Sequence, residues 1–186
     1  MIRIVTLITM CSMVFCAGTV YVSYGSEATA NLTYEGSTDD VSMDAPITLG
    51  FSYPVYMDAA GKIKGSVGGS YDITPMEDSD GVEIGFMTIF GSASYAISEG
   101  LSSWASAGIC MPSSDYLDDL EAESGIHIGV GVRYSINDKM STSIGYSSNS
   151  VESPVEGLFG DYYDFLDLGN LEWEFTTITV SLEYNL

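Results

Sequence analysis

Strict alternation, more than any motif, limits what this chain can fold into. In GIHIGVGVRYSI (125–136), Ile126, Ile128, Val130, Val132, Tyr134 and Ile136 take every second place. His127, Gly129, Gly131, Arg133 and Ser135 fill the gaps. The C-terminal stretch TITVSLEYNL repeats the pattern with Ile178, Val180, Leu182, Tyr184 and Leu186. Successive side chains of a strand point to opposite faces, so a period of two specifies a strand with two chemically different sides. After residue 28 no helical period is sustained.

The pattern recurs along the chain. Residues 29–37 place Ala30, Leu32 and Tyr34 on one face, and 46–56 place Ile47, Leu49, Phe51, Tyr53 and Val55 there. Residues 62–73 align Ile63, Val67, Tyr71 and Ile73. Residues 81–97 begin with Val82, Ile84 and Phe86 and then lose phase, as at a bulge. In 101–111 either Trp104, or Leu101 with Ala105 and Ile109, takes the apolar side. Met140, Ile144 and Tyr146 follow in 140–148. In 171–186 the phase reads as changing near Thr176, from Trp173 and Phe175 to Ile178 onward. Eight strands result. Their second, fourth and sixth connections are tight turns (DAAG, SEG, NDK), and the others are longer. In an up-and-down sheet the short turns then share one end and the long loops the other.

Charge divides the same way. Five Lys and Arg stand against 26 Asp and Glu, a net charge of −21. The loop regions 35–44, 76–83, 113–123 and 150–174 hold most of the acids and no base, whereas Lys62, Lys64, Arg133 and Lys139 lie in or near the short turns. So acidic a chain cannot neutralise phosphates, which excludes nucleic acid as a partner. Its 13 Tyr, 7 Phe and 2 Trp argue against disorder.

Periodicity does not say which face is inside. A soluble barrel puts the apolar face inward, and a membrane barrel puts it outward. Three features favour the membrane. The strands approach the ~9–11 residues that cross a bilayer when tilted. The polar face is rich in Gly, Ser and Thr, which suit the narrow interior of eight strands. Aromatics fall toward both strand ends, with Tyr34, Tyr71, Phe86, Tyr146, Trp173 and Phe175 at the loop side and Tyr53, Tyr56, Tyr95, Trp104, Tyr134 and Tyr184 at the turn side. Two such belts are expected at two membrane interfaces. The competing reading is a secreted soluble barrel that holds a small apolar ligand.

Residues 1–28 read as an export signal, with Arg3, an apolar run and small residues at Ser26 and Ala28. A cut after Gly18 is the second option, and an N-terminal anchor helix or a lipoprotein at Cys16 are weaker ones. Residues 29–186 then form the barrel domain, with Cys110 as its one cysteine and no intrachain disulfide.

Signal segment, eight strands, turn and loop asymmetry and the ending TITVSLEYNL together make the chain resemble the small eight-stranded outer-membrane β-barrels of Gram-negative bacteria, the OmpX-like and OmpA-barrel-like group of porin-family proteins. The resemblance covers 29–186. It implies an all-β, single, antiparallel, up-and-down transmembrane β-barrel in the outer membrane, with both termini periplasmic. It also implies that the last strand is read by the barrel assembly machinery, and that outer-membrane lipid and lipopolysaccharide surround the molecule. The family usually ends in Phe, whereas this chain ends in Leu186.

Candidate functional residues are few. His127, the only histidine, is expected in the lumen with Glu83, Arg133 and Glu183, as a polar network of paired charges. A lipid-modifying activity would have to run through His127. GLFGDYYDFLDLG (157–169) offers Leu158, Phe159, Tyr162, Tyr163 and Phe165 as an interaction tip toward a host or surface partner. The acidic loops invite calcium, yet none matches a 12-residue calcium loop. GSVGGSYD lies inside a strand pattern and forms no phosphate-binding loop. The expectation is a non-enzymatic barrel without cofactor or metal, acting structurally or through its acidic loops. A narrow channel is the alternative.

Overall fold

The structure, a computed structural model, describes residues 18–34, 37–113, 117, 122–154 and 170–186. Eleven strands are formed: β1 (Thr19–Tyr34), β2 (Ser37–Met43), β3 (Ile47–Met57), β4 (Ile63–Thr74), β5 (Met76–Glu77), β6 (Glu83–Ile84), β7 (Phe86–Ser98), β8 (Leu101–Pro112), β9 (Gly125–Ser135), β10 (Met140–Pro154) and β11 (Asn170–Asn185). Eight of them close a ring in the order β1, β3, β4, β7, β8, β9, β10, β11, with β11 pairing back onto β1. Every pairing is antiparallel. The closing seam runs from Thr19↔Asn185 to Thr33↔Glu172, and the Leu186 amide donates to the Gly18 carbonyl at 2.9 Å.

β1 begins at Thr19, so residues 19–28, the larger part of its 16 residues, lie within the segment read as an export signal. The short turns are as expected. Gly61 and Gly100 hold φ of 67° and 77°, a left-handed conformation that a side chain resists, at the β3–β4 and β7–β8 turns. Asn137 closes the β9–β10 turn by accepting from the Lys139 and Met140 amides at 2.9 Å each. The loop side is more ordered than the sequence implied. β2 occupies most of the first expected loop and pairs with β1, and β5 with β6 forms a small hairpin joined to the end of β2 by the Asp44–Glu77 bridge.

Around the turn-side part of the barrel the apolar faces look outward. Ile128, Val130 and Leu182 are 55%, 49% and 46% exposed, in a continuous band with Val22, Phe51, Val67 and Ile89. Serines, threonines and the charged pair Arg133–Glu183 look inward. So much exposed apolar surface is incompatible with a monomer in water and is expected of a lipid-facing barrel.

On the loop side of β1, β10 and β11 the sense reverses, whereas Ile109 and Ile126 stay exposed on the outer face near the loop ends of β8 and β9. Leu171, Trp173 and Phe175 are buried, and they share a face of β11 with Thr177, Thr179, Ser181 and Glu183. The β10–β11 register is unbroken across Thr176, so no phase change occurs there. Instead the lining of the lumen changes from polar to apolar at Phe175. The outer face changes in the opposite sense: Tyr146 and Ile178 form the last apolar pair, and Ser148 with Thr176 the first polar one. In β1 a bulge between Gly25 and Glu27 turns Ala28, Ala30 and Leu32 toward the same interior. Along these strands a membrane-type stretch is thus followed by a water-type one.

The aromatic assignments are corrected accordingly. Phe86, Trp173 and Phe175 are buried inside rather than on a belt, and Tyr34 packs against the same cluster. Trp104 also faces the lumen. Tyr71 and Tyr146 remain outside on the loop side, as do Tyr56, Tyr95, Tyr134 and Tyr184 on the turn side.

Candidate functional site: a blind polar lumen

The interior is divided in two. At the loop end Phe86 and Phe175 meet at 5.2 Å between ring centroids, and Trp173 stacks on Phe175 at 6.1 Å. Met43, Met76, Ile84, Cys110, Leu117, Val151 and Leu171 complete this apolar plug. Trp173 enters it at little polar cost, because its Nε1–H donates to Ser153 Oγ at 2.9 Å. Below the plug lies a cavity of about 550 Å³ lined by Ser23, Ser66, Ser92, Ser106, Ser143 and other small polar side chains. Gly61, Lys62, Gly100, Ser135, Asn185 and Leu186 rim it, so it opens among the short turns and the terminus.

Two hydrogen-bonded groups sit in its wall. Near the mouth Arg133 Nε contacts both Glu183 oxygens, at 2.9 Å to Oε1 and 2.8 Å to Oε2. Ser141 Oγ donates to Glu183 Oε2 at 3.3 Å, and Glu183 is only 5% exposed. The carboxylate is therefore paired and hydrogen-bonded, which an ion withdrawn from water requires.

At the blind end, just beneath the plug, Ser106 of β8, His127 of β9 and Asn149 of β10 come together. Asn149 lies directly opposite His127 in the β9–β10 register, and opposite Phe175 across β10–β11. Ser106 Oγ is 3.2 Å from His127 Nε2, and His127 Nδ1 is 2.8 Å from Asn149 Oδ1. An amide oxygen only accepts, so Nδ1 carries the proton and Nε2 is left to accept from the Ser106 hydroxyl. Phe90 packs against the imidazole at 6.1 Å.

Beside them Trp104 lies across Gly131 and Gly145; a Cβ at either glycine would collide with the indole. Its Nε1 is buried without a hydrogen-bond partner. A third lumen group, Asp72, accepts from Thr48 Oγ1 at 2.7 Å and from the Phe86 amide at 3.0 Å, tying the cavity wall to the plug.

Of the four residues expected in one lumen network, His127, Arg133 and Glu183 line the same cavity, in two separate hydrogen-bonded groups. Glu83 does not join them. It is exposed in β6, beyond the barrel rim, because Gly85 separates the β5–β6 hairpin from the inward face that Phe86 starts. The expected tip residues Leu158, Phe159, Tyr162, Tyr163 and Phe165 lie outside the described residues. Trp104, expected in the turn-side belt, lies in the lumen instead, and Asp72, Ser106 and Asn149 are lumen groups that sequence reasoning missed. A polar residue on an inward face was the only signal they gave, and many serines share it.

No family model matches the chain, and no curated protein does. Solved structures do. Neisserial surface protein A superposes with a TM-score of 0.51 at 11% identity, over 91% of this chain and 97% of that one. Designed transmembrane β-barrels give 0.47 at 14% identity, over 91% and 95%. The outer-membrane protein Ail of Yersinia pestis in a bilayer nanodisc gives 0.46 at 12%, over 91% and 99%. With its closed ring of eight antiparallel strands and its apolar outer band, the chain has the fold of the small outer-membrane β-barrels.

Proposed function

We propose that the chain is an outer-membrane protein of a Gram-negative bacterium that spans the bilayer without conducting and acts through its acidic loop side. The plug of Phe86, Trp173 and Phe175 carries this reading. A water path along the axis would have to cross closely packed aromatic rings, which offer water no hydrogen bonds, so the narrow-channel reading is disfavoured. The exposed loop-side face carries Asp39, Asp40, Asp44, Glu77 and Glu83, and suits a cationic surface or divalent ions shared with lipopolysaccharide. The role of this face is interaction, not catalysis. Leu158, Phe159, Tyr162, Tyr163 and Phe165 add an apolar tip for a host or surface partner.

The short turns and both termini then face the periplasm, and the final strand serves assembly. Removal of the export signal after Gly18 leaves β1 whole, whereas a cut after Ala28 would take most of its seam with β11. The lipid-modifying reading is disfavoured because His127 faces the lumen, away from acyl chains.

Planar-bilayer recording tests the reading. The wild-type barrel is expected to show no steady conductance, and Phe86→Ala/Trp173→Ala/Phe175→Ala to show ohmic current. Steady current through the wild type would overturn it. Deletion of 155–168 should abolish cell-surface binding while the barrel still folds; undiminished binding would remove the tip from the proposal.

A further inference from the structure

The lumen holds a chemical arrangement that the loop-side role does not use, and which stands whether or not that role is right. We propose that Ser106, His127 and Asn149 form a nucleophile, base and positioning residue that hydrolyse short-chain, water-soluble acyl esters entering from the turn-side mouth. Three observations converge. The hydrogen bonds run in the order that activation of a hydroxyl requires, from Ser106 Oγ to His127 Nε2 and from His127 Nδ1 to Asn149 Oδ1, at 3.2 and 2.8 Å. Each residue comes from a different, adjacent strand, so the barrel wall itself fixes their relative positions. All three line a cavity large enough for a small ester and closed beyond them by the plug.

The chemistry balances without any further reagent than water. Ser106 Oγ attacks the ester carbonyl carbon as its proton passes to His127 Nε2. The bond from that carbon to the alcohol oxygen breaks, and the His127 proton goes to the departing alkoxide. Water then adds to the acyl-serine carbonyl and gives a proton to Nε2. That proton returns to Ser106 Oγ as the carboxylic acid leaves. Asn149 keeps the imidazole in the tautomer and orientation that each transfer needs.

The surroundings set the substrate class. Lys62, Lys64 and Arg133 line the cavity toward its mouth and are offset by Asp72, Glu183 and the terminal carboxylate of Leu186, which suits a neutral molecule. The outward face of the strands belongs to lipid, so a bilayer acyl chain has no lateral way in. Phe90 packs against His127 and the plug closes the cavity beyond them, which argues for a short acyl group.

The test uses the full chain refolded in detergent, with compactness checked by gel migration before and after boiling. The probes are a fluorophosphonate and p-nitrophenyl acetate, butyrate and decanoate. The wild type should be labelled at Ser106, located by peptide mass spectrometry, and should turn over acetate and butyrate in preference to decanoate. Ser106→Ala and His127→Gln should each lose labelling and lower the rate by a factor of about 100 or more. Asn149→Ala should lower kcat with little change in KM and slow the labelling. Ser148→Ala, on the outward face, should match the wild type. A folded wild-type barrel that resists the fluorophosphonate, or hydrolysis that survives in a folded Ser106→Ala variant, would overturn the proposal. Preference for decanoate would overturn the substrate class.

Discussion

Two charged residues show how differently one side chain is held at the mouth and in the wall of the barrel. Asp58 is partly exposed in the β3–β4 turn, where its carboxylate accepts from the Ile63 amide at 2.7 Å. That donor, with the neighbouring amides of the turn, holds its carboxyl below the usual range. A lowered pKa in the folded state means stabilisation that is present above the unfolded carboxyl's pKa and is lost as pH falls through the folded one. Asp58→Ala should therefore lower the thermal midpoint at pH 7, and the gap to wild type should narrow as pH falls below the ordinary carboxyl range. Equal gaps at both pH values would count against the turn hydrogen bond. Glu183 is the opposite case. Its removal strands Arg133, whose side chain keeps 34% exposure to the cavity and so part of its hydration. Glu183→Ala is expected to cost about 1–3 kcal/mol in urea unfolding, and Arg133→Met/Glu183→Leu to recover much of that. Both residues were legible in the sequence as isolated charges on a small-residue face. Ser106 and Asn149 were not, because only cross-strand register brings them to His127.

Among the elements, β11 carries the most information. Its alternation was read correctly as strand, and its outward residues Ile178, Val180, Leu182 and Tyr184 were placed correctly. Trp173 and Phe175 were misread as a change of phase. Alternation reports which residues share a face, and a reader who assumes that apolar means outward must invent a slip to keep that assumption. The strand in fact runs straight while its environment changes. Glu83 was misplaced for a related reason: the real break at Gly85 lies two residues beyond it, so its apparent partners Val82 and Ile84 belong to a separate hairpin. The plug should behave as an ordinary protein core. Phe175→Ala is expected to cost about 3–5 kcal/mol, the range for emptying a packed aromatic site. A cost near zero in a urea titration would mean that these rings do not pack as described.

For the molecule as a whole, the reversal of inside and outside along β11 marks where the bilayer edge meets that strand. Val180→Arg projects from the apolar band and should destabilise by about 2–4 kcal/mol in lipid vesicles, whereas Glu174→Arg, on the same face beyond the Ser148–Thr176 pair, should cost about 0–1 kcal/mol. Equal costs would erase that boundary. The fold class was legible because eight alternating segments with sorted turns and charges leave few other closed solutions. The plug was not, since a period of two reads the same whichever face is inside, and along β11 the inner face changes from polar to apolar within one strand. That change makes the tube a cul-de-sac. Among the described residues the lumen opens on the side of the short turns, so on the proposed reading whatever it does is supplied by, and answers to, a single compartment.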